Sequence, residues 1–331
     1  MKYKTGLILG KFMPPHKGHM HLIDHGLART ERLTVLVCSL QREPIPGDRR
    51  YRWVKQLYPD VDVRHVTDEV PSYPHEDPLN FWNIWISLLR RYFPTGPDVV
   101  FTSEDYGDEL AQRLGAVHEP VDIGRRQVPV SGTAIRERPM ENWDHLPEVV
   151  RLDFARRVSL VGAESTGKTT LARALAEHYR TVWVPEFARS YLEPRGNACL
   201  IPDIINIAHG QATLEDVLAE KANRLLVCDT DLLLTCAWSK RYLGACPQEV
   251  ERMAQSRRYA LTFLCDLDLP WVPDELRNLE SDREGFHHTL LDALTDKRQP
   301  HLLVSGPHQQ RLATAIRAID PLLKDPPLPP Q

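Results

Sequence analysis

RVSLVGAESTGKTTLARALAEHY, residues 157–179, passes from an apolar run through a glycine-rich turn into a helical pattern. The turn reads Gly162-x-x-x-x-Gly167-Lys168-Thr169, the phosphate-cradling loop that joins a strand to a helix. Val158, Leu160 and Val161 supply the strand, and Leu171 and Leu175 supply the buried stripe of the helix. Loop N–H groups wrap a triphosphate, Lys168 neutralises its β and γ oxygens, and Thr169 is placed to ligate a divalent ion. Glu164, Ser165, Thr166 and Thr170 complete the loop expected to hold ATP.

Further along, apolar runs at TVWVPE, RLLVCD, ALTFLC and HLLVSG read as strands alternating with helical segments. Two of these runs end in acids: Glu186, with Arg189 close behind, and Asp229 with Asp231. Strand-end carboxylates surround the γ-phosphate and the acceptor in kinases. Asp229 suits a Mg²⁺ contact, and either Glu186 or Asp231 suits the acceptor hydroxyls or the base. Arg277 and Arg283 occupy a polar stretch that could close over the phosphates as a lid. No N-K-x-D base-reading motif accompanies the loop, and the half-chain is small, which favours a small-molecule kinase over a GTPase.

The N-terminal half opens differently. TGLILGKFMPPHKGHMHLIDHG, residues 5–26, runs from a strand ending at Gly10, past Pro14 and Pro15, into a helix opened by His16, Lys17, Gly18 and His19. Helix N-termini favour anions, and His16 and His19 share one face of that first turn. Gly10 and Gly18 would allow close approach of a ligand, with Lys11, Phe12 and Lys17 nearby. A second helix start, VPVSGTAIRERP at 128–139, offers Ser131 as a cap and Thr133 and Arg136 toward phosphate. RLTVLVCS, VDVRHV and PDVVFTS supply further strands. Between the two helix starts lie Arg49, Arg50 and Arg52, then Trp82 and Trp85, then Ser103 and Tyr106. Trp85 falls on a helix face with Phe81 and Leu88. Trp82 falls off it and could stack on a cationic planar ring.

The 331 residues carry 42% hydrophobic and 26% charged side chains and a net charge of −4, a globular composition without the basic excess of a nucleic-acid binder. No apolar run approaches the ~18 residues of a membrane span. Six cysteines without a C-x-x-C pair read as unpaired thiols of a cytoplasmic protein. Alternating apolar runs and helices predict an α/β chain with parallel sheets. The divisions expected are 1–150 and 155–320, a polar, proline-interrupted link between them, and a proline-rich tail at 321–331.

The segment GKFMPPHKGH resembles the H-x-G-H signature of the nucleotidyltransferase superfamily, and VPVSGTAIRERP resembles its usual partner. Followed by a P-loop, and with GAESTGKTTL, PEFARSY, CDTDLL and WVPDELR, the chain resembles the bifunctional nicotinamide-nucleotide adenylyltransferase/ribosylnicotinamide kinases of the NadR type over residues 4–318. The resemblance implies a Rossmann-like nucleotidyltransferase fold followed by a P-loop kinase fold. It further implies ATP, nicotinamide riboside, NMN and NAD as ligands, Mg²⁺ with the ATP, and NMN held by Trp82, Trp85, Ser103 and Tyr106. Some members carry an N-terminal DNA-binding helix-turn-helix; here the first strand starts at Thr5, and no DNA binding is expected. A homo-oligomer is left open. Two other readings remain: the same folds acting on another phosphorylated acceptor and another small molecule, or a nucleotide sensor without turnover.

Overall fold

The computed structural model describes residues 2–196, 198–272 and 282–324. The chain divides into two compact units, one ending at Val150 and the next starting at Arg151.

In the first unit the order is β1 (Tyr3–Gly10), α1 (Lys17–Arg29), β2 (Thr30–Cys38), α2 (Gly47–Leu57), β3 (Asp62–Val66), α3 (Phe81–Arg90), β4 (Val99–Thr102), α4 (Gly107–Leu114), β5 (Val117–Pro120) and α5 (Gly132–Glu137). The five strands form a parallel sheet in the order β3-β2-β1-β4-β5. Successive side chains of β1 point to opposite faces, and both faces are covered: Ile8 packs in one apolar cluster and Leu7 in the other, each fully buried. The edge strand β5 reads VHEP and buries none of its residues, so no apolar run announces it.

Residues 139–155 are not the loose link that their polar composition suggests. Met140, Trp143, Leu146 and Val150 are buried, and a helix, α6 (Glu148–Phe154), crosses the division. The prolines here punctuate a packed segment.

The second unit follows as β6 (Arg156–Val161), α7 (Lys168–His178), β7 (Trp183–Val184), α8 (Phe187–Leu192), α9 (Ile201–Glu220), β8 (Leu225–Asp229), α10 (Leu232–Leu243), α11 (Gln248–Ser256), β9 (Leu261–Cys265), α12 (Arg283–Asp296), β10 (His301–Val304) and α13 (His308–Leu322). Its parallel sheet has the order β10-β9-β6-β8-β7. Leu160 and Val161 of β6 again bury themselves in clusters on opposite faces. Helix α13 runs through Pro321 to Leu322, so the first two residues of the expected tail are helical; residues 325–331 lie outside the described chain.

In each sheet the first strand is central, flanked by two strands reached by connections leaving in opposite directions. The crevice beyond the carboxyl end of such a strand is where open α/β sheets take ligands. β1 and β6 both deliver their phosphate-type turns there.

Candidate functional site

The first crevice is built on the His16–His19 pair. His16 is the N-cap of α1, with extended backbone and no side-chain cap bond. Its ring lies against that of His19, centroids 3.8 Å apart, and Phe12 packs on His19 at 4.7 Å. Gly18 leaves room for this stack: a Cβ there would lie 3.0 Å from the His16 ring. At Gly10 a Cβ would make only ordinary contact with the Phe12 ring, at 3.4 Å. Phe12 is 1% exposed, so its side chain belongs to the core and only its backbone is available to a nucleotide. Burial, with help from Arg125 and His145, lowers the His16 pKa from 6.5 to about 3. His19 is also held well below its ordinary value, by burial and then by His16 and Arg125. The pair is therefore neutral at pH 7. It offers a ligand hydrogen-bonding groups and not two cations, and the Nδ1 atom of each ring is buried without a partner.

The second motif comes to the first. Ser131 caps α5 by accepting the Ala134 N–H at 3.0 Å. Arg136 donates to the Met13 carbonyl at 2.5 Å and to Thr133 Oγ1 at 3.0 Å, joining segments 123 residues apart. Lys11 is engaged by Glu43 at 2.9 Å and by Ser72 Oγ at 3.0 Å, whereas Lys17 is exposed.

Arg50, one of the three arginines between the two helix starts, is fully buried. It donates to the Lys11 carbonyl at 2.8 Å and pairs with Glu43 at 2.6 Å, so it braces the phosphate turn from below. Trp82 and Trp85 both pack on the apolar cluster under α3. The Arg113 guanidinium lies over the Trp82 ring at 5.3 Å, where an incoming pyridinium was expected, and Trp85 spends its Nε1–H on the Pro71 carbonyl at 2.9 Å. Tyr106 donates its hydroxyl to the Leu9 carbonyl at 3.2 Å, an internal brace at the end of β1. Ser103 follows directly on β4 and is partly buried.

The second crevice is a cavity of about 420 Å³ floored by residues 164–170. Gly167 takes φ +78° at the start of α7, a left-handed conformation that a side chain disfavours. Lys168 Nζ donates to the carbonyls of Gly162 and Ala163 at 3.0 and 2.9 Å, which holds the ammonium over the loop. Thr166 is buried and donates to the Ala163 carbonyl at 2.8 Å, so its side chain shapes the loop. Ser165 exchanges hydrogen bonds with the Val272 backbone, and Glu164 accepts from the Tyr242 hydroxyl at 3.4 Å. Thr170 is exposed on the cavity rim.

Thr169 Oγ1 donates to Asp229 Oδ2 at 2.5 Å. Asp229 is 1% exposed, its Oδ1 is buried without a partner, and burial pushes its pKa up to about 6 against the opposing Thr169 and Lys168. A hydroxyl beside an under-satisfied carboxylate, next to a phosphate loop, is a donor set that suits a hard divalent cation. Among the described residues no cluster of three or more His, Cys, Asp or Glu could hold a metal by itself, so such an ion would need the nucleotide's own oxygens.

The two acids proposed for the acceptor separate cleanly. Glu186 lines the cavity, partly exposed, with Arg189 at 3.2 Å. Asp231 does not: it is the N-cap of α10, accepting from Leu234 N–H at 2.9 Å and Ser159 Oγ at 3.0 Å inside the core. A cap and a ligand look alike in sequence because both favour a short carboxylate at a strand end. Arg283 opens α12 and donates to the Leu269 carbonyl at 3.4 Å; Arg277 lies outside the described residues. The remaining walls, from α9 and α10, include Ile204, Ile207, Gln211, Trp238 and Tyr242, none of which the strand-end reasoning reached.

Comparison with known proteins adds the following. Residues 7–138 match the family described as Cytidylyltransferase-like, and residues 157–311 match the AAA domain family. The chain is 29% identical over 322 residues to the Trifunctional NAD biosynthesis/regulator protein NadR of Escherichia coli, covering 89% of this chain and 77% of that one. The first part is 24% identical over 191 residues to the Nicotinamide-nucleotide adenylyltransferase of Thermococcus onnurineus, covering 56% of this chain and 99% of the relative. A crystal structure of a NadR protein in complex with NR superposes with a TM-score of 0.78 at 23% identity, over 97% of this chain and 96% of that one. No helix among the described residues is long and apolar enough to cross a membrane.

Proposed function

We propose that this chain, which is of the NadR type, makes NAD from nicotinamide riboside in two ATP-dependent steps, one in each unit. The carrying observation is the duplication of the phosphate turn: two separate parallel sheets each present one at the carboxyl end of a central strand.

In the proposed kinase unit, residues 155–320, the riboside's 5′-hydroxyl oxygen bonds to the γ-phosphorus of ATP as the bond to the β-bridging oxygen breaks and ADP leaves. Lys168 and the loop N–H groups offset the charge on the transferred group. We assign to Glu186, which lines the cavity, the holding of the acceptor and the uptake of the hydroxyl proton. Thr169 and Asp229 would hold Mg²⁺, which would supply charge neutralisation to the triphosphate.

In the transferase unit, residues 1–150, a phosphate oxygen of NMN attacks the α-phosphorus of ATP and pyrophosphate departs with the bonding pair. No protein nucleophile is required, so positioning does the work. Neutral His16 and His19 donate N–H groups, Arg136 supplies a fixed positive charge, and the α1 N-terminus receives the triphosphate. We assign NMN to the crevice edged by Ser103, with Trp82 and Trp85 forming its packed wall. Six unpaired thiols support a cytoplasmic setting.

The test is incubation of the purified chain with Mg-ATP and nicotinamide riboside, followed by chromatography. NMN and then NAD are expected; the absence of both refutes the reading.

A further inference from the structure

One polar group in the kinase cavity is used by neither the phosphate chemistry nor the fold. Gln211, in the middle of α9, is 1% exposed and lines the cavity. Its Oε1 accepts the Phe187 N–H at 2.9 Å, which fixes the orientation of the amide. The free end is therefore the NH₂ group, and Nε2 is buried without any hydrogen-bond partner. A buried amide donor left unpaired is costly, and native proteins keep few of them.

The surroundings hold this donor close to the acceptor acid. Phe187 directly follows Glu186, so Gln211 is bonded to the very turn that presents the carboxylate. Gly210 makes the approach achievable, because a Cβ there would overlap the Phe187 ring at 2.1 Å. The wall beside Gln211 is apolar, with Ile204 and Ile207 from the same helix, so solvent is a poor substitute partner.

Resting on the kinase reading above, we propose that Gln211 is a substrate-binding residue that donates Nε2–H to a neutral acceptor oxygen of the nucleoside, thereby orienting its 5′-hydroxyl toward Glu186 and the phosphate loop. Three oxygens have this chemistry: the carboxamide carbonyl of the base and the 2′- and 3′-hydroxyls of the ribose. The amide offers nothing to a substrate group that can only donate, so the contact selects for an acceptor at that point.

Two substitutions separate binding from architecture. Gln211→Glu keeps the shape and the oxygen that receives Phe187 N–H but replaces the free donor. Gln211→Leu removes both. At pH 8.5, where the introduced carboxyl is ionised, Gln211→Glu should raise the KM for nicotinamide riboside on the order of 10- to 100-fold. Its KM for ATP should stay within about twofold; the buried carboxylate of Gln211→Glu and the missing amide of Gln211→Leu should each lower the melting temperature, so the split between the two KM values reads the contact. The partner oxygen is read with the riboside lacking its carboxamide and with the 2′- and 3′-deoxy ribosides. Whichever analogue lacks that oxygen should bind parent and Gln211→Glu equally.

A parent-like riboside KM in Gln211→Glu overturns the proposal. So does a penalty that persists through all three analogues, or one that falls equally on ATP. Absence of riboside phosphorylation by the parent chain would instead overturn the kinase reading itself.

Discussion

Asp229 bears a cost that its function explains. Burial raises its pKa from 3.8 to about 6, so the folded state takes up a proton more readily than the unfolded chain does. For this group, stability is greatest in acid and declines as pH rises from about 3.8 through about 6. The rise corresponds to on the order of 3 kcal/mol held against folding at neutral pH. Asp229→Asn, which retains an acceptor for Thr169, should therefore raise the melting temperature of the nucleotide-free chain at pH 8, with the gain vanishing near pH 4. Kinase turnover should fall about 100-fold or more. Thermal scans at the two pH values, with a riboside kinase assay, check both halves. His16 has the opposite sign. Its pKa is lowered to about 3, so its contribution to stability is present above pH 6.5 and is lost as pH falls through about 3. Its ring resonance in NMR should stay flat from pH 8 to pH 5; a midpoint near 6.5 would show a charged pair instead.

The P-loop is held from behind by α13. Arg311, 2% exposed, donates to the Thr166 carbonyl at 2.9 Å and the Gly306 carbonyl at 2.8 Å, and pairs with Asp268. Arg311→Met leaves the Thr166 and Gly306 carbonyls without their donor, while the exposed Asp268 turns to water, which should destabilise the second unit by about 1–3 kcal/mol. Calorimetry should show the transition of the second unit moving down while that of the first stays in place. Elements also show what a linear sequence discloses. Strands with continuous apolar runs were legible, because a sheet covered on both faces demands them. β5 was not, because an exposed edge strand has no such demand. Motif glycines, lysine and histidines were legible because turn geometry and phosphate charge restrict their types. The roles of Asp231, Tyr106 and Arg50 were not, since whether a polar side chain meets a ligand or a buried carbonyl depends on helices distant in sequence. Gln211 was invisible for the same reason: its meaning lies in a Phe187 N–H 24 residues away.

At the scale of the whole chain, the two histidines and the P-loop lysine belong to different units, each with its own sheet and cores. The two activities should therefore be separable. Lys168→Ala should lose riboside phosphorylation by about 100-fold or more yet still convert supplied NMN to NAD. His19→Ala should accumulate NMN and stop there. Mixing the two proteins should restore NAD formation from the riboside, since NMN diffuses freely. Loss of both activities in each folded variant would mean a single composite site.

Among the described residues the first unit is also continuous in sequence: its sheet closes with β5 at Pro120 and its second helix-start motif ends by Glu137. No strand from the later half is needed to complete it. On the ribosome, the roughly 180 residues after Val150 take on the order of 10–35 s to translate at ~5–20 residues per second. The transferase half thus has time to fold before the kinase half is finished, and a chain stalled late in synthesis should already present a protease-resistant N-terminal fragment.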